Sequence, residues 1–177
     1  MDSGVVERAK RVRLLTCDVD GVLTDGRIYV DDHGHEFKAF CALDGVGTNL
    51  LAKAGIVVAW ITGSAAPAVA HRARQLRIPH LVQDSHDKLS AWERLREELG
   101  FGAAECAHIG DDLPDIPVLA ACGFAATVPH APAAVRRQAH YVTAREGGTG
   151  AVRELADLIL EARAAATALA PSAIRGG

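Results

Sequence analysis

The chain reads as an α/β fold, a three-layer sandwich with a mostly parallel central sheet. Short β-branched or apolar runs alternate with amphipathic stretches, which calls for right-handed crossovers between parallel strands. One run, residues 56–62 (IVVAWIT), is apolar almost throughout, as a strand covered on both faces must be. Several runs end in polar or acidic groups, at Asp18 and Asp20, at Thr62 to Ser64, and at Asp111 and Asp112. In an open α/β sheet that rim, at the carboxyl ends of the strands, is where ligands bind.

The elements follow in order. Residues 14–18 form the first strand, with Leu14, Leu15 and Cys17 inside and Gly21 letting the chain turn sharply beyond it. Residues 27–30 and 36–40 flank DDHG and predict a hairpin with Gly34 in its turn. It lies directly after the acids, where a flap over the crevice would be, although an ordinary edge hairpin has the same pattern. A helix over 48–54 follows DGVG, and residues 56–62 are the second parallel strand. The helix over 65–77 carries Val69, Ala73 and Leu76 on one stripe, with Pro67 tolerated in its first turn. A short strand at 80–82 precedes a helix over 88–99, where Leu89, Trp92, Leu95 and Leu99 recur at helical spacing. Strands at 107–110 and 123–127 enclose a short helix at 115–121, and Val152, Leu155, Ile159 and Ala162 mark a final amphipathic helix. Residues 1–163 are thus expected to form one domain, with 164–177 a mobile tail, alanine-rich and then closed by Pro171 and Gly-Gly.

Composition narrows the class. A chain of 177 residues supports one real core, and with 49% hydrophobic but 5% aromatic residues that core is built from Val, Leu, Ile and Ala. A net charge of −3 argues against a general nucleic-acid binder. The four cysteines (Cys17, Cys41, Cys106, Cys122) contain no CxxC pair and read as reduced thiols of a cytoplasmic protein. The N-terminal stretch is charged at Glu7, Arg8, Lys10, Arg11 and Arg13, unlike a signal peptide, and no apolar run approaches the roughly 20 residues of a membrane span.

The strand-end residues suit phosphoryl transfer. Asp18 and Asp20, separated only by Val19, repel each other unless a cation or a shared proton relieves them. Mg²⁺ held by Asp18 and Asp111 would let a carboxylate approach an anionic phosphate ester. Asp18 is then the candidate nucleophile, giving an aspartyl-phosphate, and Asp20 the acid and base of the two half-reactions. The Thr62 hydroxyl, the Gly63 N–H and Lys88 would hold the equatorial oxygens. Each has a structural alternative: Thr62 and Ser64 as helix caps, Asp111 and Asp112 as first-turn acids. Lys88 resists that alternative, since a cation in the first turn opposes the helix dipole, although Asp87 beside it softens the conflict.

These residues resemble the four ordered motifs of the haloacid dehalogenase-like hydrolase superfamily: DVDGVLTD (18–25), ITG (61–63), Lys88 and GDDLPD (110–115). The resemblance implies a Rossmann-like sheet, Mg²⁺ dependence, Asp18 as nucleophile, Asp20 as acid/base and, through its backbone carbonyl, a metal ligand, and Asp111 as a further metal ligand. An acid two residues after the nucleophile marks its phosphatases. Residues 26–60 and 89–110 are each shorter than the roughly 40 residues a domain needs to fold without stapling, so no cap domain fits.

From residue 14 to 161 the chain is similar to the 3-deoxy-D-manno-octulosonate 8-phosphate phosphatase family and its nonulosonate relatives, through GHEFKAF (34–40), DGVG (44–47), IVVAWITG (56–63), YVT (141–143) and GGTGAVRE (147–154). The similarity implies a small phosphorylated sugar acid as substrate and a homotetramer whose hairpins pack between subunits and help close neighbouring sites, with the tail reaching a neighbour's site. Asp44 and Gly45 of the DGVG stretch are substrate-binding candidates on this basis. The octulosonate branch commonly carries arginine at the positions of Asn49, Ser64 and Thr149, whereas Arg72 and Arg153 keep their places. The sugar-acid carboxylate would then fall to Arg72, Arg145 or Lys38, or the substrate is a different sugar acid such as a nonulosonate 9-phosphate. A non-catalytic partner domain of a sugar-acid cytidylyltransferase pathway is a second class, opposed by the presence of both Asp18 and Asp20. A phospho-accepting receiver domain carries its acceptor mid-chain rather than on the first strand, and no GxxxxGK[ST] supports a nucleotide binder.

Overall fold

In the computed structural model, which describes residues 2–169, the first helix α1 (Ser3–Lys10) leads into β1 (Leu14–Cys17) at the middle of the sheet. Asp2 caps α1 by accepting the Gly4 N–H at 2.8 Å. The predicted hairpin is present but shorter, β2 (Tyr29–Val30) against β3 (Glu36–Phe37), antiparallel with Tyr29 opposite Phe37. Those two rings stack 5.3 Å apart, and Asp31 organises the turn by accepting the His33 and His35 N–H groups. The remainder alternates: α2 (Ala42–Lys53), β4 (Val57–Ile61), α3 (Pro67–Leu76), β5 (His80–Val82), α4 (Lys88–Glu98), β6 (Cys106–Ile109), α5 (Ile116–Ala121), β7 (Phe124–Thr127), α6 (Ala133–Arg136), β8 (Tyr141–Val142) and α7 (Ala151–Leu169).

The six-stranded sheet has the order β5-β4-β1-β6-β7-β8, and every pairing is parallel. The chain moves outward from β1 through β4 to β5, then returns to lay β6 on the other side of β1 and moves outward again. The reversal point therefore lies at the carboxyl ends of β1 and β6, where the sheet opens a crevice. Strands β1, β6 and β7 are buried along their whole length, as parallel strands between two helical layers must be. Helices α1, α2 and α7 pack together in one layer, while α4 and α5 pack against each other.

Helix α2 begins six positions earlier than the sequence predicts, at Ala42 rather than residue 48. Gly45 and Gly47 argue against a helix by propensity, but packing overrides them. A Cβ on Gly47 would lie 2.9 Å from the Arg153 Cα, so glycine is what lets α2 and α7 approach. The expected tail boundary at residue 164 falls inside α7, which continues to Leu169; residues 170–177 of that expected tail lie outside the described residues. Between β1 and β4 the chain holds only the hairpin and α2, so no cap domain is inserted there.

Leu155 is fully buried on α7, in the layer that locks α2 and α1 to the sheet. Replacing Leu155 with Ala is expected to cost about 3 kcal/mol of unfolding free energy in urea. A loss below about 1 kcal/mol would show that α7 is not integral to the core.

Candidate active site

Every strand-end group that the sequence pointed to on β1, β4 and β6 reaches one cavity. Its volume is about 450 Å³, and it is lined by Asp18, Asp20, Thr62, Gly63, Lys88 and Asp111, together with part of the 84–87 loop. Asp18 stands one residue past β1, its N–H donating to the Ile109 carbonyl at 2.9 Å, so β6 fixes the backbone from which the carboxylate projects. Its Oδ1 accepts the Val19 N–H at 2.7 Å and its Oδ2 meets the Lys88 ammonium at 2.9 Å. The chain then turns tightly, with the Leu23 N–H on the Val19 carbonyl and the Thr24 hydroxyl bracing the turn. Gly21 sits at φ +87°, and a Cβ there would lie 2.1 Å from the Asp111 carboxylate. That close approach brings the β1 loop and the β6 loop together over the crevice.

Lys88 opens α4, and Asp87 caps the same helix by accepting the Ser90 N–H at 3.0 Å. The cap offsets the unfavourable position of a cation near the helix N-terminus. The Lys88 side chain is 6% exposed and spans Asp18 at 2.9 Å and Asp115 at 2.7 Å. Asp115 is fully buried; its Oδ1 also meets His108 Nε2 at 3.0 Å. Asp20 is half-exposed at the rim, and Lys38, one residue past β3, reaches back to it at 2.5 Å and to Glu36 at 2.8 Å. Burial works against the Lys38 ammonium, but its hydrogen bonds to Asp20 and Glu36 outweigh this and raise its pKa. Thr62 does not cap α3: its hydroxyl oxygen accepts the Ser64 N–H at 3.0 Å, and Ser64 in turn accepts the Ala66 N–H. Among the described residues no acceptor takes the Thr62 hydroxyl proton, so it can serve a ligand in the cavity.

The other predicted residues divide. Lys38 and Arg72 line a second hollow of about 450 Å³ with Phe40, His71, Arg74 and Gln75, and the Lys38–Asp20 pair joins this basic hollow to the first. Gly45 does not line the first cavity but underlies Arg72: a Cβ there would stand 3.0 Å from the guanidinium. Asp44 does not line the first cavity; it is fully buried at the N-terminus of α7, where its Oδ1 accepts the Arg153 N–H at 2.9 Å. Arg145 lies near the Thr149 carbonyl and Arg153 pairs with Asp157. Of the three positions where arginine is absent, Ser64 alone lines the cavity; Asn49 borders a separate groove with Leu76 and Ile78.

The structure adds residues that sequence reasoning assigned no role. Asp115, the last residue of GDDLPD, is the second partner of Lys88, and His108 stands behind it. A polar residue alternating inward on the otherwise apolar run CAHI was the available signal for His108. His130 joins Glu146 at 2.5 Å and lies 3.9 Å from Asp111.

The electrostatics call for a cation. Carboxylate oxygens of Asp18, Asp111 and Asp115 lie within 4.8 Å of one another, with the Lys88 ammonium among them. Burial, and then the Asp115 charge, push Asp18 up to about 7 against the opposing pull of Lys88; the same two causes push Asp111 up to about 6. Burial would raise Asp115 as well, but the hydrogen bond and charge of His108, joined by Lys88, outweigh it and hold Asp115 at about 2. Asp115 is thus already satisfied, and Asp18 and Asp111 are the hard oxygen donors left for a divalent ion such as magnesium. An acid whose folded pKa is raised favours folding while protonated, and that contribution is lost as pH rises through the folded value. For Asp18 and Asp111 the window ends near 7 and 6. Magnesium chloride is therefore expected to raise Tm more at about pH 8 than at about pH 5. Equal shifts at the two pH values, or none at the higher, would contradict this charge assignment.

A model of the haloacid dehalogenase-like hydrolases matches residues 72–155. The chain is 47% identical to the 3-deoxy-D-manno-octulosonate 8-phosphate phosphatase KdsC of Yersinia pestis over 159 residues, 90% of this chain and 85% of that protein. It is 42% identical to the protein of the same name from Escherichia coli K12, over 92% of this chain and 87% of that one. The crystal structure of the Moraxella catarrhalis phosphatase in complex with magnesium, phosphate and a KDO molecule superposes with a TM-score of 0.90 at 40% identity, covering 95% of this chain and 98% of that one. No helix among the described residues is long and apolar enough to cross a membrane.

Proposed function

Since the chain belongs to the haloacid dehalogenase-like hydrolases, in the branch of the 3-deoxy-D-manno-octulosonate 8-phosphate phosphatases, we propose that it hydrolyses the phosphate monoester of that eight-carbon sugar acid through an aspartyl-phosphate on Asp18. The observation that carries the reading is the Asp18 carboxylate held against Lys88 at the sheet's reversal point, with Asp111 beside it.

In the first half-reaction a carboxylate oxygen of Asp18 attacks phosphorus as the bond to the leaving oxygen breaks, and Asp20 gives that oxygen its proton. In the second, Asp20 takes a proton from water, whose oxygen attacks phosphorus and releases the Asp18 carboxylate. Asp20 suits both halves because it stands at the exposed rim, where leaving group and water arrive, with Lys38 fixing its orientation. Lys88, the Thr62 hydroxyl and the Gly63 N–H hold the equatorial oxygens, where charge accumulates. Magnesium, bound in the Moraxella relative, would be held here by the Asp18 and Asp111 carboxylates and the Asp20 carbonyl, and it supplies the positive charge that lets one anion approach another.

The basic hollow beside Asp20 supports recognition of a sugar acid: Lys38 and Arg72 face it, and an arginine fork suits a carboxylate. The hairpin supports the homotetramer implied by resemblance, since Ile28 is 76% exposed and Val30 and Phe37 are exposed with it. The cysteines are all free thiols, which fits a reducing cytoplasm.

A substrate panel tests the proposal. With magnesium, kcat/KM for 3-deoxy-D-manno-octulosonate 8-phosphate is expected to exceed that for nonulosonate 9-phosphates and hexose phosphates by about tenfold or more. A nonulosonate 9-phosphate as the better substrate would replace the proposed one, and no hydrolysis of any ester would leave a binding role instead.

A further inference from the structure

His108 is fully buried on β6, and the register pairs it with Thr16 of β1. Paired residues on parallel strands point to the same face of the sheet, and residues two apart on one strand share a face. Thr16 and Asp18 are therefore neighbours on the face that His108 also occupies. The hydrogen bonds close a circuit through these groups. Thr16 Oγ1 meets His108 Nδ1 at 2.9 Å, and His108 Nε2 meets Asp115 Oδ1 at 3.0 Å. Asp115 Oδ1 accepts from Lys88 at 2.7 Å, and Lys88 reaches Asp18 at 2.9 Å, two residues from the start.

The direction of one bond in this circuit is fixed by chemistry. An ionised carboxylate only accepts, so the proton between His108 and Asp115 must sit on Nε2. At the other ring nitrogen the Thr16 hydroxyl chooses between His108 Nδ1 and the Ala107 carbonyl at 3.1 Å. Either choice leaves Nε2 as a donor to Asp115. Asp115 has few other supports: among the described residues its second oxygen receives only the Asp112 N–H, at 3.4 Å. Without His108 the strongest remaining partner of the Asp115 carboxylate would be the Lys88 ammonium itself. A buried anion short of one donor would draw Lys88 toward itself and away from Asp18 and the phosphate oxygens.

We infer that His108 is a positioning residue: by donating Nε2–H to Asp115 it sets how the Lys88 ammonium is shared between Asp115 and the phosphate-facing side of the cavity. The inference deepens the proposed phosphatase mechanism and rests on it. It involves no contact between His108 and substrate, so its effect falls on turnover more than on binding of the sugar acid.

The test compares His108→Phe, His108→Gln and His108→Asn as full-length protein with magnesium, reading kcat, KM and Tm on 3-deoxy-D-manno-octulosonate 8-phosphate and on p-nitrophenyl phosphate. A glutamine amide nitrogen falls near the imidazole Nε2, whereas an asparagine nitrogen falls near Nδ1. His108→Phe is expected to lower kcat by roughly tenfold or more with KM within about threefold of wild type, and His108→Gln to recover most of that loss. Should the phenylalanine variant not fold, the amide pair decides, with Gln turning over faster than Asn at comparable Tm. A cooperatively melting His108→Phe with wild-type kcat, or Gln and Asn variants equal in kcat, would overturn the inference while leaving the phosphatase reading intact. Failure of the wild-type protein to hydrolyse either ester would remove the phosphatase reading itself.

Discussion

Three carboxylates converge where β1 and β6 end, and the Lys88 ammonium forms salt bridges with two of them, Asp18 and Asp115. Separating such groups from water is costly, and a buried ion pair repays the cost only where further hydrogen bonds satisfy the remaining atoms. Asp115 meets that condition through His108 and Lys88; for Asp18 and Asp111 burial and the Asp115 charge outweigh the pull of Lys88, so both are raised. The protein thus holds one acid fully compensated and leaves two short of positive charge. A divalent cation such as magnesium supplies the positive charge that the side chains leave short.

The fold serves this arrangement directly. The reversal of strand order puts β1 and β6 side by side with their carboxyl ends free, and Gly21 allows the two loops beyond them to meet. Lys88 arrives from α4 on a helix that Asp87 caps, so the cation can occupy a position the helix dipole disfavours. Each of these features is present without substrate, so the charged groups are already in place when a ligand arrives.

The parallel strands were legible because burial on both faces writes an unbroken apolar run, as in residues 56–62, and because polar residues mark where each run stops. The strand-end positions of Asp18, Thr62 and Asp111 were legible for the same reason, and Lys88 stood out as a cation in the first turn of a helix. What was not legible depended on contacts distant in sequence. Helix α2 was under-read because Gly45 and Gly47 look like breakers until Arg72 and Arg153 are seen above them. Asp44 looks like a ligand-facing acid, and only the fold shows it turned to the α7 N-terminus. Strand β8 is two residues long and exists by pairing with β7, a partner no local pattern reveals. The Asp115 and His108 roles required knowing that Lys88, 27 positions before Asp115, would lie beside it.

The central claim is that Asp18 becomes covalently bonded to phosphorus, and a crystal structure of the protein with magnesium and beryllium fluoride tests it most directly. The account predicts beryllium bonded to an Asp18 carboxylate oxygen, with Lys88 and Thr62 directed at the fluorides. Beryllium on Asp20 or Asp111, or absent from all three side chains with magnesium in place, would contradict it.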